Sequence, residues 1–256
     1  MRSKANFFSF SIIIAILIIS CSNNTIQTDA PTLSNIQLDI EHDFSDSIFI
    51  SVAVFDPQGR EDIDSVWALI GYINLTDNPR VLLLLDNGTD GDSTANDGVF
   101  SAVYLDNLGQ FQLGPYQVQL RAKDLSDNLS NLIETVFWAI DGDRPILYNE
   151  IGPDSLERGS TDTSYIMVNA YDPDGLSNID SLYFLVTRPD LTQNPYHFYM
   201  HDDGQLGDTR SGDGRYTLGI LPPTSENQAG VYRFVFHAFD DEGHESNNPD
   251  IYITVY

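Results

Sequence analysis

Aspartate recurs in short, glycine-rich segments of this chain, and the same segments appear twice. The segment DNGTDGDSTANDGVFS (86–101) corresponds to DDGQLGDTRSGDGRYT (202–217), and Asp86, Asp92 and Asp97 each recur 116 positions later. Carboxylates and the backbone carbonyls of glycine-rich turns are the oxygen ligands that calcium prefers. The two segments therefore predict one metal-binding loop in each copy.

The spacing in the first copy partly matches an EF-type calcium loop, with Asp86 first, Asp92 seventh and Asp97 twelfth. Gly88 stands where a third ligand belongs, and the second copy has Leu206 at the fifth position. The twelfth residue is also aspartate instead of glutamate, so an EF-hand is excluded. Two interpretations stay open: a metal-binding β-hairpin loop, and a tight turn for which Asp and Gly supply only the backbone angles.

Other acidic residues follow strands in a way that brings them to the same end of the fold. If consecutive strands reverse direction, the loops after the second, fourth and sixth strands leave one end of each copy. Two like charges about 4 Å apart cost roughly 4 kcal/mol at an effective dielectric near 20, so such a group needs a cation or must spread into water. The predicted ligands of structural calcium ions are Asp56, Asp86, Asp90, Asp92, Asp97 and Asp124 in the first copy and Asp172, Asp202, Asp208, Asp213 and Asp240 in the second.

The internal duplication extends over almost all of the remaining chain. FDPQGREDIDSVW (55–67) aligns with YDPDGLSNIDSLY (171–183), and YQVQLRAKDLSDNLSN (116–131) aligns with YRFVFHAFDDEGHESN (232–247). A repeat of this length is a duplicated domain, because solenoid and propeller repeats have periods of about 20–50 residues. Short alternating apolar segments bounded by turn residues predict seven antiparallel strands in each copy. The predicted strands lie at about 34–40, 47–55, 63–72, 80–85, 99–104, 116–123 and 132–140 in the first copy and at about 149–156, 164–171, 179–188, 196–201, 215–221, 231–239 and 250–256 in the second. The predicted fold is all-β, with two tandem Ig-like antiparallel β-sandwiches.

Two groups of segments resemble a known family. The endings QLRAKDLSDNLSN (119–131) and VFHAFDDEGHESN (235–247) resemble the penultimate strand and following loop of bacterial extracellular Ig-like domains. The Asp/Gly-rich segments are similar to a hairpin of Ig-like modules in secreted and anchored bacterial proteins. This resemblance implies the fold and an extracytoplasmic location.

The N-terminus predicts export and lipid attachment. Arg2 and Lys4 precede an apolar run over 7–19, which is too short to span about 30 Å of hydrocarbon as a helix. The sequence IISC at 18–21 resembles the lipobox of bacterial lipoproteins, in which the cysteine carries the lipid and becomes the mature N-terminus. Cys21 is also the only cysteine, so the exported chain forms no internal disulfide. The predicted organisation is a signal peptide (1–20), a tether (21–31), Ig-like domain 1 (32–140), a linker (141–148) and Ig-like domain 2 (149–256).

The short linker predicts that the domains stack end to end. The second domain's chain entry then lies at the same end as its acidic loops, so Asp141, Asp143 and Glu150 are expected near the aspartates of that end. Elsewhere, His197 and His201 lie four apart on a predicted strand, and a strand edge is preferred over a transition-metal site.

Composition and motifs narrow the function. A formal charge of −26 disfavours nucleic acid and anionic headgroups as partners, since both are bound through clustered Lys and Arg side chains. The chain lacks a nucleophile elbow, an HExxH helix and a phosphate loop, so an enzyme is not expected. The sequence predicts a lipoprotein of the bacterial cell envelope, held in the outer membrane through lipidated Cys21, with a role in adhesion, presentation or assembly. The alternative is a glycan-binding accessory lipoprotein. The protein or glycan ligand, and the periplasmic or surface face, stay open.

Overall fold

A computed structural model describes residues 29–43, 46–73, 75, 78–89, 91–104, 112–224 and 226–256. The regular elements of these residues are strands, apart from two single 3-10 turns at Arg60–Asp62 and Leu176–Asn178. The strands of the first half are β1 (Thr32–Gln37), β2 (Glu41–Asp43), β3 (Ile48–Phe55), β4 (Ile63–Tyr72), β5 (Arg80–Leu84), β6 (Val99–Tyr104), β7 (Gly114–Asp124) and β8 (Ile133–Ile140). Those of the second half are β9 (Ile146–Ile151), β10 (Ser155–Leu156), β11 (Ser164–Tyr171), β12 (Ile179–Thr187), β13 (Phe198–Tyr199), β14 (Arg215–Ile220), β15 (Gly230–Asp240) and β16 (Asp250–Val255).

Each half is a sandwich of a three-stranded and a five-stranded sheet. In the first half the sheets have the orders β1-β3-β6 and β2-β8-β7-β4-β5. The second half repeats them as β9-β11-β14 and β10-β16-β15-β12-β13. All pairings are antiparallel except those of the short strands β2 with β8 and β10 with β16. The predicted class, all-β with two tandem Ig-like sandwiches, is confirmed.

The two sandwiches have separate hydrophobic cores. Alternate residues of β3, such as Ile48, Ile50 and Val52, are buried between the sheets, as period-two patterning requires. The first core lies within 33–139 and the second within 147–255, so each domain buries its own apolar residues. Each domain also has the tyrosine corner that is typical of Ig-like sandwiches. Tyr116 accepts a hydrogen bond from the Gln112 amide at 3.1 Å, and Tyr232 donates one to the Gln228 carbonyl at 2.8 Å.

The first strand of each domain differs from the prediction. A single strand was expected over 34–40 and over 149–156, but the structure has two shorter strands near each range, β1 and β2 or β9 and β10, and the two strands of each pair belong to different sheets. The division follows a register shift at a residue with left-handed backbone angles, Asn35 (φ 49°) in the first domain and Asn149 (φ 56°) in the second. A bulge of this kind twists a strand sharply, so the following residues reach the other sheet.

Candidate metal centre in the acidic loops

Asp86 is the organising residue of the first Asp/Gly-rich hairpin. Its Oδ1 accepts hydrogen bonds from the amides of Asn96 (2.5 Å) and Asp97 (3.2 Å), and its Oδ2 accepts one from Gly98 (2.9 Å). Arg60 also donates from Nε to Oδ2 at 2.5 Å. Burial raises the pKa of Asp86, but the hydrogen bonds from Arg60, Gly98 and Asn96 outweigh it and hold that pKa below its usual range. One carboxylate therefore closes a loop of more than ten residues.

The second hairpin repeats this arrangement without the arginine. Asp202 accepts from the amides of Gly212 (2.7 Å), Asp213 (3.3 Å) and Gly214 (2.8 Å). The residue equivalent to Arg60 is Leu176, which cannot donate a hydrogen bond from its side chain. The second hairpin is therefore a natural comparison for the ion pair of the first.

The other hairpin aspartates also accept hydrogen bonds from the backbone. Asp92 accepts from the Gly88 amide at 2.6 Å, and its counterpart Asp208 accepts from the Gly204 amide at 2.5 Å. Asp97 accepts from the Val99 amide at 2.9 Å, and Asp213 has the same contact with the following strand. These hydrogen bonds explain why aspartate recurs at these positions even where no ion is bound. The candidate ligand at position 90 lies outside the described residues.

Both hairpins fold back over the outer face of the smaller sheet. Gly91 lies on the ring of Phe49, and a Cβ on it would stand 2.3 Å from that ring. Its equivalent Gly207 lies on Tyr165, where a Cβ would come within 2.7 Å. Glycine is required at both positions, since their φ angles (90° and 99°) are also left-handed.

A second acidic group lies at the end of the first domain, beside the hairpin. Asp56 follows β3, Asp62 precedes β4 and Asp124 ends β7, and carboxylate oxygens of the three lie within 4.8 Å of one another. The hairpin trios, Asp86 with Asp92 and Asp97 and Asp202 with Asp208 and Asp213, are separate groups of the same kind. The expectation that acids from all three loops form one cluster is therefore wrong. The hairpin bends away over the sheet, and only the other two loops bring their carboxylates together.

Asp62 was not predicted as a candidate. It stands next to Ile63, which pairs with Asp124 across β4 and β7, and the Leu125 amide donates to the Asp62 carbonyl at 2.8 Å. Burial raises the pKa of Asp62, and the neighbouring charges of Asp56 and Asp124 raise it further. The repeat carried no signal for this residue, because asparagine, Asn178, occupies the equivalent position in the second copy.

The equivalent group of the second domain has one carboxylate fewer. Asn178 Nδ2 lies 3.5 Å from Asp172 Oδ1, and His244 Nδ1 lies 2.8 Å from Asp240 Oδ2. Burial raises the pKa of Asp172, and the charges of Asp240 and Asp174 add to that effect. Burial also raises the pKa of Asp240, but its contacts with His244 outweigh it and lower that pKa.

The dipeptide Ser130–Asn131 and its equivalent Ser246–Asn247 have a structural role that the sequence analysis did not predict. Ser130 Oγ accepts from the Ala122 amide at 2.9 Å. Asn131 bonds both backbone groups of Leu33, accepting at 2.7 Å and donating at 3.2 Å, and so ties β1 to the loop before β8. Ser246 and Asn247 repeat these contacts in the second domain. The recurrence of the dipeptide SN 116 residues apart was the available signal.

The domains meet through an aromatic contact. The rings of Trp138 and Tyr171 stack with centroids 3.9 Å apart, and Tyr148 packs edge-on against Trp138. The Tyr171 hydroxyl donates to the carboxylate of Glu41 in the first domain. Tyr171 directly precedes Asp172, so the acidic end of the second domain faces the junction.

The linker acids occupy two places at this junction. Asp141 forms an ion pair with Arg144 at 2.6 Å, and both line a groove with Asp143 and His244. Glu150 instead lines a groove with Tyr72 of the first domain. Burial raises the pKa of Glu150, and nearby Asp250 raises it further.

The outer face of β12, β13 and β15 carries a row of rings. The Tyr183 ring stacks between those of His197 (4.4 Å) and His237 (5.3 Å), with Tyr199 beside it at 5.6 Å. Tyr199 is 52% exposed, and the preceding Tyr196 is 70% exposed. In the first domain, the residues equivalent to His197 and Tyr199 are Val81 and Leu83.

Comparisons with known proteins identify no family. No family model and no curated protein matches the chain. Among solved structures, it is similar to fibronectin(III)-like modules of Clostridium thermocellum CbhA (16% identity, 86% of this chain, 94% of that chain, TM-score 0.28). It is also similar to the D00-D0 domain of intimin (11%, 86% and 98%, 0.33) and to Escherichia coli alpha-2-macroglobulin (12%, 88% and 16%, 0.45). Scores this low carry no argument beyond the fold already described. Among the described residues, no helix is long and apolar enough to cross a membrane.

Proposed function

We propose that this chain is a lipid-anchored protein of the bacterial envelope, whose two Ig-like domains act without catalysis in adhesion, presentation or assembly. The observation that carries the proposal is the junction. A large aromatic pair, Trp138 on Tyr171, and the Tyr171 hydroxyl bond to Glu41 fix one domain against the other. Stacked rings contribute about 0.5–1.5 kcal/mol beyond their buried area, which favours one relative orientation of the domains. A stiffened pair suits the task of holding a distal surface away from a membrane.

The anchor of this proposal is Cys21, which lies outside the described residues. Its test compares the natural chain with a Cys21→Ser variant in fractionated cells. The natural protein is expected in the membrane fraction with acyl mass on Cys21, and the variant is expected unprocessed or released. Mass spectrometry that finds an unmodified Cys21 in the membrane fraction would refute the anchor.

Calcium is the second part of the proposal. The described acidic trios are groups that could hold a metal ion, and the chain's formal charge of −26 makes compensation by cations favourable. Calcium suits them because it accepts carboxylate and carbonyl oxygens in irregular geometry. In this proposal the ions are structural and hold loops in place.

A glycan-binding role is the second candidate, and the row of rings on the second domain favours it. Sugar rings stack on exposed aromatic faces, and Tyr199 stands exposed beside the stacked Tyr183. In a polysaccharide binding assay, Tyr199→Ala is expected to weaken retention. Tyr196→Ala, which changes an exposed ring in the segment before β13, is the matched control. Equal retention by both variants and the natural chain would remove this candidate.

A further inference from the structure

The end of the first domain contains a buried carboxylate oxygen without a partner. Asp56 is 4% exposed, and its Oδ1 accepts from the Gln58 amide at 2.8 Å. Its Oδ2 has no hydrogen-bond partner in the described structure and no contact with solvent. An ionised oxygen in that position is strongly disfavoured unless a donor or a cation meets it. The same oxygen of Asp172 is unpartnered in the second domain, so the feature is repeated with the domain.

The backbone holds two further carboxylates close to that of Asp56. Asp62 and Asp124 lie with Asp56 within the 4.8 Å group, and the pairing of Ile63 with Asp124 fixes their separation. Asp124 Oδ1 accepts from the amides of Ser126 and Asn128, and Asp124 Oδ2 accepts from Asn128 Nδ2, all at 2.8 Å, so the position of Asp124 does not depend on an ion. The group is thus preorganised by hydrogen bonds that leave lone pairs on its oxygens free.

The nearest basic side chains are engaged elsewhere. Arg60 pairs with Asp86 at 2.5 Å, and Lys123 pairs with Asp64 (3.3 Å) and Asp127 (2.9 Å). Within the described ranges, no lysine or arginine forms an ion pair with Asp56, Asp62 or Asp124. The three carboxylates, whose oxygens lie within 4.8 Å of one another, therefore have no ion-pair partner among the described residues, and Lys123 acts on Asp124 only through its longer-range charge.

We propose that Asp56, Asp62 and Asp124 bind a calcium ion, with Asp56 Oδ2 as its buried ligand. Calcium fits better than magnesium, because it accepts carboxylate oxygens in flexible geometry, whereas magnesium demands a near-ideal octahedron and gives up its water reluctantly. Bound there, the ion ties the loop after β3 to the start of β4 and the end of β7. The inference rests on the proposed function in one respect, namely that the domain is exposed to an extracytoplasmic medium that contains calcium.

The second domain provides the comparison. Its equivalent residues are Asp172, Asn178 and Asp240, so one carboxylate is replaced by an amide. The amide nitrogen of Asn178 faces Asp172, which is the difference between the two sites. His244 contacts Asp240 as its equivalent, Asn128, contacts Asp124 in the first domain. Fewer charged ligands mean weaker calcium binding. The second site is therefore expected to bind calcium at least about 10-fold more weakly than the first.

The test is a calorimetric titration of the detergent-extracted, chelator-treated full chain with calcium chloride, and with magnesium chloride in parallel. One calcium is expected to bind tightly, and magnesium is expected to bind far more weakly. Asp62→Asn, which gives the first domain the residue of the second, is expected to raise the dissociation constant about 10-fold or more. Asp56→Asn is expected to abolish the tight site. Asp39→Asn, which changes an exposed acid of the first domain outside the three acidic trios, is the matched control and is expected to leave binding unchanged.

Three outcomes would overturn the inference. The first is no heat of binding up to millimolar calcium for the natural chain, which would assign Asp56 Oδ2 to a water molecule. This result stands even if a variant fails to fold. The second is an unchanged dissociation constant in Asp62→Asn. The third is binding that survives Asp56→Asn but is lost in Asp92→Asn, which would place the ion in the hairpin. That third result would leave the proposed calcium stabilisation intact, and the Cys21→Ser fractionation tests the anchor independently.

Discussion

Replacing Asp86 by asparagine isolates the energetic role of the first hairpin's central carboxylate. The amide oxygen of asparagine has the size and position to accept from the Asn96 and Asp97 amides, as Oδ1 does now. Its NH₂ group would then stand at the place of Oδ2, which accepts from the Gly98 amide and Arg60 Nε. The Gly98 amide and Arg60 Nε would then face the donating NH₂ group of asparagine, and both hydrogen bonds would be lost.

The magnitude follows from the surroundings of these two donors. The Gly98 amide loses a bond to a charged acceptor, which is worth about 1.5–3 kcal/mol. The Arg60 side chain is 36% exposed and regains water, so its loss is closer to the 0.2–1 kcal/mol of a surface pair. The expected destabilisation of the first domain is therefore about 2–4 kcal/mol. Asp202→Asn in the second domain loses only the Gly214 bond, and about 1.5–3 kcal/mol is expected.

The assay is urea unfolding followed by tryptophan fluorescence, and it depends on where the tryptophans lie. The chain has two tryptophans, Trp67 and Trp138, and both belong to the first domain. Tryptophan fluorescence during urea unfolding therefore follows that domain, together with the junction contact of Trp138 with Tyr171. A double-mutant cycle with Arg60→Leu, the residue found in the second domain, measures the ion pair directly. A coupling of about 0.2–1 kcal/mol is expected. If Asp86→Asn leaves the fluorescence midpoint and slope unchanged, the loop is closed by other contacts and the reasoning is refuted.

The remaining predictions concern acid, the junction and the asparagine contacts. The pKa values of Asp86 and Asp124 are lowered on folding, so their contribution to stability is complete above about pH 4 and is lost as the pH falls through the folded pKa values. The urea midpoint of the natural chain should therefore fall in that pH range, and Asp86→Asn should make the midpoint depend less on pH. Parallel curves of midpoint against pH for the two proteins would contradict this prediction. Tyr171→Ala should uncouple the domains, which would appear as independent tumbling in NMR relaxation. Tyr171→Phe keeps the ring stack and loses only the bond to Glu41, so it should retain most of the coupling. Identical relaxation in the natural chain and both variants would show that the stack does not join the domains. Asn247→Ala should destabilise the second domain by about 1–3 kcal/mol, because the Leu147 amide loses its acceptor, and a circular dichroism midpoint equal to that of the natural chain would contradict this.

Much of the fold followed from pattern alone. The 116-residue repeat placed two domains, and alternation of apolar residues placed most strands within two residues of their observed bounds. The first strand of each domain was the exception. Its division between sheets depends on a bulge at Asn35, where a left-handed backbone angle changes the pairing partner, and alternation does not encode that change.

Only part of the candidate site could be predicted from the sequence, for a related reason. Asp86, Asp92 and Asp97 stood out because they recur, and the structure gives each a backbone hydrogen bond that explains the recurrence. Asp62 does not recur, and its significance appears only where β4 and β7 pair. Comparison of the two copies reveals the residues that both domains share, but it gives no signal for a residue such as Asp62 that only one domain has.

The sequence by itself determined the class of fold, the number of domains and the chemistry that the loops supply, because periodicity and residue type are local properties. Tertiary structure decided which carboxylates meet. It turned the hairpin over the smaller sheet through the contact of Gly91 with Phe49, and it brought Asp56 and Asp62 against Asp124. It also left one oxygen of Asp56 buried without a partner. Distances between loops that are remote in sequence depend on strand pairing and sheet packing, which residue order does not express on its own.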